Sequence, residues 1–135
     1  MRNVLRLNPP ALARPAGQPP GYTHVVVATG GRTIYVSGQV ALDVGGKLVG
    51  QGDFPAQAKQ VFDNLASALA AANATFADVV KTNIYLTDAA RLDEFRQVRS
   101  QYFVGDPPAS TLVVVAGLYR PDLMVEVDAI AVTSG

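Results

Sequence analysis

Between residues 123 and 132 the chain alternates with a period of two. Leu123, Val125, Val127, Ala129 and Ala131 form one wholly apolar row, while Met124, Glu126, Asp128, Ile130 and Val132 form the other. That is the pattern of a strand with one face in a core. It sets two acids, Glu126 and Asp128, on one face with Cα atoms about 7 Å apart. Residues 79–87 read as a second long strand, with Val80, Thr82, Ile84 and Leu86 on one face. Shorter β-rich runs occur at 25–28, 33–37, 47–49 and 111–116. Gly30-Gly31 and Asp43-Val44-Gly45-Gly46 supply the turns next to the first three. Two segments switch to the helical period. In the first, Asp53 caps, Pro55 sits in the opening turn, and Ala58, Val61, Phe62, Leu65, Leu69 and Ala72 make the stripe, with an end near Asn73. In the second, Asp88 caps a helix with Leu92, Phe95, Val98 and Tyr102 inward, stopped by Gly105-Asp106-Pro107-Pro108.

This gives an α/β (α+β) chain of one domain over 1–135, with about six strands in a mixed sheet and two helices on one face. Residues 1–21 form an N-terminal strand/loop segment, in which 8–21, rich in Pro, Gly and Ala, is the loop. Two helices cover only one face of such a sheet. Yet Val25-Val26-Val27 and Leu112-Val113-Val114-Val115 are apolar on both sides, as in strands buried on both faces. The economical cover for the second face is another copy of the chain.

Composition narrows the chemistry. Eleven basic and eleven acidic residues give a formal net charge of zero, which disfavours nucleic acid as a partner. Cysteine is absent and His24 is the single histidine, so thiol catalysis and a Cys- or His-based metal site are not expected. No run approaches the roughly 20 apolar residues of a membrane span, and no apolar leader opens the chain; a soluble, cytoplasmic protein is expected. A carboxylate among apolar neighbours is costly unless paired, hydrogen-bonded or protonated, which makes Glu126 the first candidate for chemistry. Asp128 reads as a structural or solvent-facing acid. Ser110 is not a nucleophile without a base, and His24 reads as a loop histidine, or as a proton shuttle beside Tyr22. Gly30-Gly31 and Gly45-Gly46 lack the strand-to-helix context of a phosphate loop.

Several stretches together resemble the Rid family of enamine/imine deaminases, also known under the YjgF and endoribonuclease L-PSP names. They are Gly21-Tyr22; Ile34-Tyr35-Val36-Ser37-Gly38-Gln39; Gln57-Ala58-Lys59-Gln60-Val61-Phe62-Asp63-Asn64-Leu65; Asp78 through Asp88; Pro108-Ala109-Ser110-Thr111; and Val125-Glu126-Val127-Asp128. The resemblance covers roughly residues 20–132. It implies a chorismate-mutase-like fold, a homotrimer with its sheets packed inward as a barrel, and small-molecule pockets between subunits. It also implies a reaction without cofactor, in which the last-strand glutamate positions a water that attacks an imine carbon. On this pattern Glu126 is the catalytic residue, and Tyr22, Ser37, Gly38 and Ser110 line the pocket.

The chain departs from the family at one informative place. Ser110 stands where the family's Pro-Ala-Arg-Ser motif has the arginine that grips the substrate carboxylate. Leu112 replaces a frequent cysteine, and Arg99 takes a helix position where asparagine is usual. A serine hydroxyl cannot replace a bidentate arginine–carboxylate pair, so efficient hydrolysis of 2-imino acids is not expected unless Arg120 or Arg99 restores the charge. Two readings follow: a hydrolase of a small enamine, imine or related reactive metabolite, and a non-catalytic metabolite-binding or interaction module on the same scaffold. The neutral charge and missing histidine pair argue against a ribonuclease.

Overall fold

In the computed structural model, which describes residues 2–13 and 21–134, eight elements follow one another. They are β1 (Asn3–Leu7), β2 (Val25–Thr29), β3 (Arg32–Gln39), α1 (Phe54–Ala71), β4 (Val79–Leu86), α2 (Leu92–Tyr102), β5 (Ala109–Val114) and β6 (Val125–Thr133). Single 3-10 turns at Phe76–Asp78 and Ala89–Arg91 lead into β4 and α2.

The strands divide into two sheets, not one of six. β1 and β2 form an antiparallel pair, and the other four are ordered β3-β6-β4-β5. The larger sheet is mixed: β6 is antiparallel to both of its neighbours, and β5 runs parallel to β4 through the α2 crossover. The expected strand at 47–49 is only a bridge, Leu42 to Leu48, closing the turn at Asp43. That turn is held by Asp43 Oδ1, which accepts from the backbone N–H groups of Gly45 and Lys47. Of the expected loop 8–21, residues 14–20 lie outside the described residues. The Gly30-Gly31 turn hands the chain from the small sheet to the large one. Both glycines have left-handed φ, of 74° and 73°, and a Cβ on Gly31 would overlap the Thr133 carbonyl.

α1 begins where Asp53 Oδ1 accepts from Ala56 N–H at 3.2 Å, and its inward stripe is Phe54, Gln57, Ala58, Val61, Phe62, Leu65 and Leu69. It packs on β3, β6 and α2. The 3.6-residue stripe thus meets the period-2 row of Val125, Val127, Ala129 and Ala131, all buried, together with Thr82, Ile84 and Leu86 of β4. Phe62 anchors the far end, stacked on Tyr102 with centroids 5.0 Å apart and tilted against Phe95 at 5.8 Å. The helices cover this face alone. On the other lie Tyr35, Lys81, Asn83, Tyr85, Glu126, Asp128 and Ile130, and Tyr35 is 77% exposed. Val25, Val27, Val113 and Val114, expected to be covered, are exposed in the single chain.

One buried polar side chain ties the core to the start of β6. Gln57, fully buried, donates through Nε2 to the carbonyls of Gly50 and Asp122, each at 3.0 Å, and its Oε1 accepts from Met124 N–H at 2.9 Å. Three backbone groups lose their partner if that amide is removed. Gln57→Ala is expected to lower unfolding free energy by roughly 3 kcal/mol, measured by urea denaturation at fixed protomer concentration. A loss below about 1 kcal/mol would mean that water replaces the clamp.

Candidate functional site

The two faces of the large sheet carry different chemistry. β6 presents Glu126 to the uncovered face, opposite Tyr85 of β4, and Asp128 two residues on, opposite Asn83. Asp128 is fully engaged: Asn83 Nδ2 donates to Oδ1 at 2.9 Å and the Tyr85 hydroxyl donates to Oδ2 at 3.1 Å. This hydrogen bond is the main cause that raises the Tyr85 pKa, followed by burial and by the charge of Asp128. Glu126 has no hydrogen bond or ion pair among the described residues. Its pKa is raised above the ordinary 4.5, first by desolvation and then by the negative charge of Asp128.

What holds Glu126 is the backbone of β3. The pairing of β3 with β6 is regular from Arg32 to Val36 and slips before Gln39, so Ser37-Gly38 bulges beside the Glu126 side chain. A Cβ on Gly38 would fall on the Glu126 carboxylate. The glycine, whose φ is not left-handed, therefore leaves room for the carboxylate where it stands. Of the candidate residues, Gly38 and Glu126 lie against each other, with Ser37 next to Gly38 in the bulge.

The remaining candidates sit elsewhere. Ser110 lies opposite Thr82 in the parallel β4–β5 pair, and its Oγ accepts from Thr82 Oγ1 at 3.0 Å. Thr82 is buried between sheet and helices, so Ser110 points to the helix side, away from Glu126. Tyr22 belongs to the same corner. The loop carrying it is pinned at Thr23, whose N–H donates to the Pro108 carbonyl at 2.9 Å and whose hydroxyl donates to the Pro107 carbonyl at 2.6 Å. His24 packs edge-on against Tyr22 at 5.2 Å, and its ring Nε2 bonds to the Ala13 carbonyl, a contact that ties down the N-terminal segment. Arg120 is gripped by Asp122, Nε to Oδ1 at 3.2 Å and Nη2 to Oδ2 at 2.9 Å. That bidentate pair depresses the Asp122 pKa and occupies one edge of the guanidinium fork.

Three residues of the site were not singled out from sequence. Asn83 and Tyr85 share strand parity with Lys81 and alternate with the core row Thr82, Ile84 and Leu86, so their face was readable; their common partner was not. Gly21 was seen only as a motif residue. Here its backbone lies against the Arg99 guanidinium, which a Cβ would displace. A cavity of about 230 Å³ between Arg6, Phe76, Tyr102 and Asp106 contains none of these groups. Among the described residues no cluster of three His, Cys, Asp or Glu side chains gathers as a metal site would require, and no helix is long and apolar enough to cross a membrane.

A half-covered mixed sheet with a lone glutamate on its open face and a loop closing over its edge strand defines a class, and comparison with known proteins names it. The family described as endoribonuclease L-PSP matches residues 14–133, and the chain belongs to it, the group also called Rid or YjgF. The chain is 41% identical over 101 residues to a 2-iminobutanoate/2-iminopropanoate deaminase of Mus musculus, covering 75% of this chain and 74% of that one. It is 34% identical over 124 residues to a 3-aminoacrylate deaminase, RutC, of Acinetobacter baylyi, covering 91% and 98%. The crystal structure of the Rid-family protein of unknown function YyfB from Yersinia pestis superposes with a TM-score of 0.87 at 36% identity, over 97% of this chain and 99% of that one.

The raised pKa of Glu126 has a consequence for stability. The native chain holds this proton more tightly than the unfolded chain, so the ionised carboxylate costs stability once pH rises above 4.5 and through the native value. Glu126→Gln is expected to melt higher than wild type at neutral pH, with the gap closing near pH 4. Thermal melts across that range check this; a Gln variant that is less stable at pH 7 would mean that the carboxylate has a stabilising partner.

Proposed function

We propose that the protein hydrolyses a small enamine or imine at a site completed by a second copy of the chain, within a homotrimer. The observation that carries this reading is the unpaired Glu126 carboxylate, set against Gly38 on the face that the helices leave open. On one chain Glu126, Ser37 and Gly38 face away from Tyr22 and Ser110. A single copy therefore holds two half-sites that cannot meet. Packing the open faces of neighbouring copies together covers Tyr35 and Ile130, and it brings the Glu126 half-site of one copy to the β5 edge of the next. The exposed Val113 and Val114 on that edge are the apolar surface such packing would bury.

The chemistry follows from the proton that Glu126 can carry. An enamine first tautomerises to its imine. Glu126 accepts a proton from water as the water oxygen adds to the imine carbon, and the proton then passes to nitrogen. Glu126 then carries the hydroxyl proton of the carbinolamine to nitrogen as the C–N bond breaks, a carbonyl forms and ammonia leaves. A carboxylate whose pKa is raised above its ordinary value is the stronger base, which suits it to take the proton from water before it passes it on. Ser37 and Gly38 place the carboxylate, while Tyr22 and Ser110 shape the ligand side. The relatives whose names state deamination of 2-iminobutanoate and 3-aminoacrylate support this class of reaction.

The test is ammonia release from freshly generated imines, run with size measurement of the same samples. Glu126→Gln is expected to keep the trimer and lose at least about 100-fold in turnover. Gly38→Ala, whose methyl takes the carboxylate's place, is expected to lose activity in the same way without unfolding. A wild type that binds 2-oxo acids and releases no ammonia would establish the non-catalytic binding module instead, and a monomeric wild type would remove the two-copy site.

A further inference from the structure

The cavity of about 230 Å³ is lined by none of Tyr22, Arg99, Ser110 or Glu126. Three segments enclose it: β1, the 3-10 turn at Phe76–Asp78, and the stretch that leaves α2 at Tyr102 and runs to Asp106. Its walls are aromatic. Phe76 meets Phe103 edge-on at 5.0 Å and Tyr102 at 5.7 Å, and Phe62 stacks on Tyr102 from the core. Each ring is thus braced by another, and the Tyr102 hydroxyl donates to Asp63 at 2.8 Å. Walls braced in this way do not fold into the space they enclose.

Two charged side chains line the cavity, and they are of opposite sign. Arg2, Val4 and Arg6 share the less exposed parity of the first strand. Arg2 is answered by Asp78 at 3.2 Å. Arg6 reaches only Asp106, at 3.9 Å from Nη1 and on a side chain that is 81% exposed. The Arg6 Nε–H is withdrawn from water and has no hydrogen-bond partner. A guanidinium N–H left unmet in this way is costly, and a loose pair with an exposed acid returns little. The cavity therefore carries a cation with unmet bonding capacity on β1, and an anion beside it that is free to turn. A purely anionic ligand would meet Arg6 and be repelled by Asp106; an amine would meet the reverse. A zwitterion satisfies both.

We propose that this cavity is a second ligand site, and that it takes a free α-amino acid with an apolar side chain. The carboxylate bonds to the Arg6 guanidinium, the ammonium goes to Asp106, and the side chain lies among Phe76, Tyr102 and Phe103. A mostly apolar hollow with a few polar groups that fix orientation is the usual form of a small-molecule site. Size narrows the occupant. At the roughly 30 Å³ taken by a water molecule, the volume holds about eight non-hydrogen atoms, the size of a branched-chain amino acid. Bound there, the ligand ties β1 of the small sheet to the segment that leads into β5 of the large one. The site is independent of the proposed hydrolysis, because it shares no residue with the Glu126 face.

The test is calorimetry of L-leucine on the full chain. The comparisons are isocaproate, which lacks the ammonium, and isoamylamine, which lacks the carboxylate. Wild type is expected to bind L-leucine at least about tenfold more tightly than either. Arg6→Gln is expected to weaken L-leucine by about tenfold or more. Asp106→Lys, on an exposed side chain that the core does not need, is expected to weaken L-leucine in the same measure and to bring isocaproate level with it. This second variant decides the matter should Arg6→Gln fail to fold. Glu126→Gln is expected to bind L-leucine as wild type does. Undiminished L-leucine binding in Arg6→Gln or Asp106→Lys overturns the proposal. So does a wild type that gives no heat with millimolar L-leucine, or that binds isocaproate equally well. Loss of binding in Glu126→Gln overturns it too, because the amino acid would then occupy the face of the proposed reaction. A protein that binds L-leucine through Arg6 and Asp106 and hydrolyses no imine upholds this site and rejects the reaction.

Discussion

The structure turns on one constraint: two helices can cover only one face of the large sheet. Everything with period two along β6 is sorted by it. Val125, Val127, Ala129 and Ala131 go to the helices and form the core with Phe62, Leu65 and Leu69. Glu126, Asp128 and Ile130 go to the other side. A one-residue slip in the β6 register would exchange these sets and bury both acids against α1, so the hydrophobic row fixes the register strongly. The site is thus placed by the same pattern that makes the core.

Two glycines mark where side chains of consequence sit close to backbone. At Gly38 the neighbour is the Glu126 carboxylate, and at Gly21 it is the Arg99 guanidinium. In both, the atoms that a Cβ would strike are the far ends of flexible side chains, so a methyl there would move the charged group before it strained the fold. Gly31 differs: its virtual Cβ meets the Thr133 carbonyl, a backbone atom that cannot step aside, at a left-handed φ. The first two glycines position charge; the third shapes the chain.

The elements with strong periodicity were legible in the sequence, because core contact enforces the period. α1 starts at the predicted Asp53 cap and ends within two residues of the expected Asn73, and β6 carries the expected row; β4 carries Thr82, Ile84 and Leu86 as expected, while a register shift after Val79 puts that residue in the core in place of the expected Val80. What was not legible depends on contacts distant in sequence. The run at 47–49 has strand composition but no neighbouring strand to pair with, and β2 pairs with β1 instead of completing the large sheet. Gly38 lies against Glu126 because β3 and β6 are paired. The side-chain alternation that separates Ser110 from Glu126 was available in principle, yet its reference point, the bond from Thr82, spans β4 to β5 and follows only from their register. Arg120 and Arg99 look equivalent along the chain; Asp122, two residues from Arg120, separates them in the fold.

Glu126 and its neighbour Asp128 differ in their partners. Both carboxylates face the same way on the same strand, and like charges at this spacing raise the cost of ionising both. Their hydrogen bonds differ: Asp128 accepts from Asn83 and from Tyr85, while Glu126 accepts none among the described residues. The negative charge of Asp128 adds to desolvation in raising the Glu126 pKa. The two acids of the uncovered face thus differ before any ligand arrives: Asp128 is held by two hydrogen bonds, and Glu126 has none among the described residues.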